Sequence, residues 1–133
     1  MTVVFLDTSA VLAVLDANDR RHEVARDLWK RHLEAGTMFL TTSYVLLETT
    51  ALLQRRLGLD ALQLFEQDVR PVLEVEWLGE EDHERGVAAV LASGQRGLSL
   101  VDCTSFRTMR RRRVRWVFAF DHHFVEEGFE TLS

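Results

Sequence analysis

Cysteine occurs once in the 133 residues, as Cys103, and proline once, as Pro71. One cysteine excludes an internal disulfide and any multi-cysteine zinc site. Sparing cysteine use suits a reducing compartment, so a cytoplasmic protein is expected. No uncharged apolar run is long enough to span a bilayer, and no membrane contact is expected. The N-terminus lacks a basic segment and its apolar run stops at Asp7, which argues against a signal peptide. Positive charge is not in excess either: the formal net charge is -5. A mildly acidic chain cannot hold nucleic acid by bulk charge, so any such contact needs a local basic patch or bridging metal ions. Repeats, low-complexity segments and linkers are absent, and the length predicts a single domain, 1–133, with a sizeable core.

What is present is an alternation of short β-branched runs and longer helical ones. Val3–Asp7 reads as a buried strand, followed by an apolar helix over Ser9–Leu15. A second helix is predicted over His22–Ala35, with Val24, Leu28 and Leu33 inward and Gly36 ending it. Met38–Thr42 reads as a strand and Ser43–Leu57 as a long helix, with Ser43 as N-cap and Gly58 just past its end. Asp60 is expected to cap a helix stopping near Pro71. Strand Val72–Leu78, helix Glu80–Ala92, helix Asp102–Arg113, strand Trp116–Asp121 and a short strand Glu130–Leu132 complete the pattern. Strands separated by helices imply parallel βαβ crossovers. The predicted fold class is therefore α/β: a three-layer α/β/α sandwich around a mainly parallel sheet of four to five strands. In such sheets ligands bind beyond the carboxyl ends of the strands, where strand order reverses.

That location draws attention to acids at strand ends. Asp7 and Asp121 end predicted strands, and Asp102 opens a predicted helix. Each is also a good helix N-cap, and taken singly that explanation suffices. Glu48 is different. It lies mid-helix in "SYVLLETTALL", and its neighbours three or four positions away are Tyr44, Val45, Ala51 and Leu52. An ionised carboxylate on an apolar helix face costs several kcal/mol unless it is paired; a buried arginine partner, or rotation of Glu48 to the rim, would also satisfy it. One arrangement accounts for all four acids, a cluster at the carboxyl edge of the sheet. Clustered carboxylates raise one another's pKa values and call for a cation. Hard ions such as Mg²⁺ or Mn²⁺ take oxygen ligands and leave positions for phosphate oxygens.

The segments "VVFLDTSAVLAVLD", "TTSYVLLETTALLQRRLG", "LSLVDCTSF" and "VFAFDHHF" together resemble the PIN domain, and the short chain resembles the VapC-type toxins within that family. The resemblance spans essentially the whole sequence. It implies a Mg²⁺- or Mn²⁺-dependent endoribonuclease of a toxin–antitoxin pair, with RNA as substrate, a cognate antitoxin as partner and a homodimeric state. It also implies Asp7, Glu48, Asp102 and Asp121 as catalytic, metal-site acids, supported by the hydroxyl of Thr8 or Ser9. Two positions depart from the family pattern. Ala119 stands where Thr or Ser is frequent, and His123 where some members carry Asp. His122 and His123 are expected on the surface, opening the last helix, with a supporting donor role for His123 as the alternative.

Arg110, Arg111, Arg112 and Arg113 crowd one helix end. They read either as a solvated, dipole-favoured cluster or as an RNA-contacting ridge. Cys103 is expected as an apolar helix position, and His22, His32 and His83 have no metal-ligand spacing. Trp29, Trp77 and Trp116 are expected as core or interface anchors. The apolar surplus of Ser9–Leu15 and Ser43–Leu57 predicts a groove for a partner helix or a second subunit. Two other functions compete with the nuclease. One is a haloacid-dehalogenase-like phosphatase, disfavoured because Ser9 occupies the place of its second Asp. The other is a non-catalytic RNA- or protein-binding module with the acids as caps.

Overall fold

The computed structural model describes residues 2–133. Its centre is a five-stranded sheet: β1 (Val3–Leu6), β2 (Met38–Thr42), β3 (Leu73–Glu76), β4 (Trp116–Phe118) and β5 (Glu130–Thr131). All strand pairings are parallel, in the order β3-β2-β1-β4-β5. The chain builds outward from β1 through β2 to β3, then returns to the other side of β1 for β4 and β5. Strand order therefore reverses between β1 and β4, the place where this class of sheet opens a crevice.

The helices are α1 (Thr8–Leu15), α2 (His22–Glu34), α3 (Ser43–Arg56), α4 (Leu59–Leu64), α5 (Glu80–Ser93), α6 (Leu100–Arg111) and α7 (His123–Glu126). A π-helical turn, Phe65–Val69, and a 3-10 turn, Arg70–Val72, extend α4 to the proline. Alternate residues of each inner strand go to opposite faces. Val4, Leu6, Phe39 and Phe118 join one buried cluster with Ala10, Leu28, Leu53 and Phe65. Phe5, Leu40 and Val117 join the other with Phe106, Met109 and Phe124. Helices cover both faces, giving the expected α/β/α sandwich. No helix among the described residues is long and apolar enough to cross a membrane.

Several local expectations are corrected. On α2 the inward residues are Ala25 and Leu28, whereas Val24 is 57% exposed and Leu33 lies on the surface. Trp29 widens the inward face by packing against the core on Phe39. Thr42, not Ser43, caps α3: its Oγ1 accepts from the Val45 amide at 3.2 Å, and the Ser43 hydroxyl instead accepts from the Leu78 amide. Asp60 is no cap either. Gly58, at φ 92°, both ends α3 and begins α4. That positive φ is open to glycine at little cost, so one residue reverses the chain between two helices. Finally, α6 starts at Leu100, two residues before Asp102, and β4 ends three residues before Asp121.

Candidate active site

Asp7 leaves β1 at its carboxyl end and caps α1. Its Oδ2 accepts from the Ser9 amide at 3.2 Å and the Ser9 hydroxyl at 2.7 Å. The cap explanation is therefore correct, but it is only half the account. Ser9 Oγ also accepts from the Phe120 amide at 2.9 Å, tying Asp7 to the segment leading into Asp121. Thr8 works in the other direction. Its Oγ1 lies 2.9 Å from Thr49 Oγ1, fastening α1 to the helix that carries Glu48. The two adjacent hydroxyls thus brace two different sides of one cleft.

Asp102 sits in the first turn of α6 within a capping box. Ser99 Oγ accepts from the Asp102 amide at 3.0 Å, and Asp102 Oδ2 accepts from the Ser99 amide at 3.1 Å. Asp121 Oδ1 accepts from the His123 amide at 2.9 Å, closing a turn before α7. In all three aspartates one oxygen is spent on local backbone and the other has no hydrogen bond to the described residues. Asp7, Glu48, Asp102 and Asp121 all line a single cleft of about 310 Å³, together with Thr8, Ser9 and Ser99. All four predicted acids are brought together, beside the β1–β4 reversal.

Glu48 reaches the cleft in a different way from that expected. The core face of α3 is Val45, Leu46, Thr49 and Leu53, while Ala51 is exposed. Glu48 is half-buried on the rim, one turn from Leu52, which lines the same cleft. The rim placement, with the other acids rather than an arginine facing it, is what the helix phase produces.

The electrostatics are those of a crowded anionic site. Burial pushes the Asp7 carboxyl up to about 6; the charges of Asp102 and Glu48 add to this, against the two bonds from Ser9. Asp7 is 5% exposed. Burial likewise raises Glu48, with Asp102 and Asp121 adding and the nearby Thr8 hydroxyl opposing. Burial also raises Asp102, with Asp121 adding and Ser99 and His123 opposing. Such a cluster is held against its own repulsion and is relieved by a cation.

His123 is the residue that sequence reasoning misplaced. Its side chain is 15% exposed, and Nδ1 lies 3.0 Å from Asp121 Oδ1 and 3.6 Å from Asp102 Oδ2. That nitrogen is buried yet makes no aligned hydrogen bond. Asp102, Asp121 and His123 bring one ligand atom each within 4.8 Å of one another and could hold a metal ion. Four carboxylates with unengaged oxygens and one orphaned ring nitrogen form a donor set that fits a divalent cation. His122, by contrast, is on the surface as expected. Ala119 is buried in the core and contributes no hydroxyl.

The PIN domain family matches residues 4–129. The chain belongs to the PIN-domain family. It is 33% identical over 128 residues to the Mycobacterium tuberculosis protein described as 23S rRNA-specific endonuclease VapC20, covering 96% of this chain and 95% of that one. The crystal structure of M. tuberculosis VapC20, described as a sarcin–ricin loop cleaving toxin, superposes with a TM-score of 0.82 at 32% identity, covering 95% of each chain. The structure of FitAcB from Neisseria gonorrhoeae shares the fold, with a TM-score of 0.66 at 15% identity over 98% of this chain and 96% of that chain.

Within this PIN domain the arginine cluster is largely engaged. Arg110 pairs with Glu127 at 2.6 Å, Arg111 with Glu76, and Arg112 with Glu76 at 3.0 Å and Glu74 at 3.1 Å. Arg113, in the left-handed conformation at φ 57°, makes no ion pair with the described residues. A groove of about 670 Å³ carries Arg85, Arg107, Arg110 and Arg111 over a floor of Leu98, Cys103 and Phe106. Its lining shares no residue with the acidic cleft, although Leu98 and Cys103 directly adjoin Ser99 and Asp102 in sequence. Cys103 is buried, and burial raises its thiol, as suits an apolar packing position rather than a nucleophile. Of the tryptophans, Trp29 packs on Phe39 with centroids 4.7 Å apart, whereas Trp77 is 68% exposed.

Proposed function

We propose that the chain is a single-domain, divalent-metal-dependent endoribonuclease, the cytoplasmic toxin of a toxin–antitoxin pair, with a cognate antitoxin as partner and a homodimeric state. The carrying observation is the convergence of Asp7, Glu48, Asp102 and Asp121 on one cleft at the strand-order reversal. The relation to VapC20 supports 23S rRNA as the substrate. Asp7, Glu48, Asp102 and Asp121 would hold Mg²⁺ or Mn²⁺, with His123 beside them. Once bound, such an ion polarises the phosphodiester and lowers the pKa of an attacking water.

The chain's own residues do the positioning. Ser9 fixes the Asp7 carboxylate and locks it to Phe120, and the Ser99 box fixes Asp102. Arg110, Arg111, Arg112 and Arg113 are assigned to the RNA backbone, on the basic groove and its margin. The more exposed pairs to Glu74 and Glu127 contribute at most about 1 kcal/mol each, so RNA phosphates can replace those two partners, whereas the Glu76 side chain is 16% exposed and shared by Arg111 and Arg112.

The test is cleavage of an RNA carrying the sarcin–ricin loop, with Mn²⁺, with Mg²⁺ or with chelator. Cleavage should require the metal, and Glu48→Gln should slow it at least about 100-fold. A small phosphomonoester should not be hydrolysed. Absence of cleavage together with no Mn²⁺-induced thermal shift would leave a binding module instead.

A further inference from the structure

A second depression opens against the acidic cleft and has no part in the chemistry described so far. It measures about 390 Å³ and is lined by Tyr44, Leu47, Glu48, His83, Leu100 and Val101. Three of these positions connect it to the acids. Glu48 lines both spaces, and Leu100 and Val101 directly precede Asp102 on α6. One wall is aromatic: Tyr44 Oη lies 2.6 Å from His83 Nδ1, and the rings meet edge to face at 73° with centroids 5.8 Å apart. This contact joins α3 to α5 at the surface. The opposite wall is aliphatic, and Leu47 is left 70% exposed at its mouth.

The lining selects against a phosphate, because its one carboxylate, Glu48, is a negatively charged acceptor and no arginine or lysine contributes. It suits a flat, largely apolar group with polar edges. Unstacked bases are recognised by stacking on aromatic and apolar side chains. A base in this space would hang from a sugar whose phosphate lies at the acids, since Glu48 separates the two.

We propose that the Tyr44–His83 pocket receives an unstacked nucleobase beside the scissile phosphate, so that the enzyme selects looped or single-stranded RNA over duplex. This rests on the ribonuclease reading above. The pocket acts on substrate binding and orientation, while the acids act on the phosphodiester.

The experiment uses a short RNA hairpin that the wild type cleaves in its loop, and the same hairpin with abasic nucleotides flanking the cleavage point. Tyr44→Ala should lower kcat/KM on the intact hairpin about 10- to 100-fold, mostly through KM. Tyr44→Phe, which keeps the ring, should stay within about 3-fold. On the abasic hairpin the wild type should lose the same factor, and Tyr44→Ala should lose nothing further, since the stacking partner is already gone. Equal impairment of Tyr44→Ala on both hairpins would reveal a structural role and overturn the pocket. So would full activity of Tyr44→Ala, or dissociation of a wild-type dimer into monomers by that substitution, which would put a second copy on this surface. A wild type that binds Mn²⁺ but cleaves no RNA would overturn the ribonuclease reading and the base pocket with it. Cleavage indifferent to the abasic change would overturn the pocket alone.

Discussion

Asp7→Asn should make the metal-free protein more stable while removing its metal response. The carboxyl is 5% exposed and its pKa rises from 3.8 to about 6, chiefly through burial and then through Asp102 and Glu48. The folded chain therefore holds the Asp7 proton at pH values where the unfolded chain has released it. Stability from this group falls as pH climbs from about 4 through about 6, and above that the ionised carboxylate costs the fold about 3 kcal/mol. Asparagine keeps the shape and the acceptor for Ser9 but not the charge. Its bonds to Ser9 are weaker by about 1 kcal/mol, because they lose charge assistance. The net expectation at pH 7.5 is a gain of about 2 kcal/mol, or roughly 8 °C in Tm for a chain of this size. Urea unfolding in chelator, followed by tryptophan fluorescence at pH 4 and pH 7.5, measures it. The variant should lead at pH 7.5 and draw level with the wild type at pH 4. Saturating Mn²⁺ should reverse the order, adding about 2.7 kcal/mol to the wild type at 100 times its Kd and nothing to the variant. A variant that is no more stable at pH 7.5, or whose lead is the same at both pH values, would refute the assignment of a buried, charge-crowded Asp7.

Ser9→Ala strips one bond from Asp7 and leaves the part-buried Phe120 amide without its acceptor. It should cost about 1–3 kcal/mol of stability and lower kcat/KM about 10- to 100-fold. Loss of stability with unchanged cleavage would restrict Ser9 to a structural role. Replacing Arg111 and Arg112 together by Gln should reduce the slope of log K against log salt for RNA binding by about 1 to 2, measured on an Asp102→Asn background so that RNA is not consumed. An unchanged slope would confine these arginines to their ion pairs with Glu74 and Glu76.

The layout of the fold was legible because its cues are local and repeated. Four β-branched runs ended in turn residues, helices lay between them, and parallel crossovers followed. The cap assignments were less legible, because neighbouring hydroxyls compete for the same role. Thr42 and Ser43 are adjacent, and only the docking of Leu78 onto Ser43 decides between them. Glu48 was found through an incomplete premise. Its apolar neighbours suggested burial in the core, whereas Val45, Leu46, Thr49 and Leu53 turn inward and leave Glu48 at the rim. The need for a compensating cation survives this correction, since Asp102 and Asp121 face it there. His123 was misread because a histidine pair beside an acid resembles a solvated helix start. The turn closed by Asp121 rotates the two rings apart in exposure: the His122 side chain is 73% exposed and that of His123 15%.

Local backbone bonding and the proposed metal-site role are compatible in these aspartates. Asp7, Asp102 and Asp121 each commit one carboxylate oxygen to the backbone within three residues: Oδ2 to Ser9, Oδ2 to Ser99 and Oδ1 to His123. A carboxylate held this way has lost most of its rotamer freedom before any ligand arrives. Its second oxygen is presented at a fixed place in the cleft, and the entropy of ordering it is charged to folding rather than to binding. The burial that raises the Asp7 and Asp102 carboxyls is the cost of that arrangement, and local bonds from Ser9 and Ser99 offset part of it. Glu48 has no such tether and is held by its place on a helix braced through Thr8 and Thr49. It also lines both the acidic cleft and the aromatic pocket.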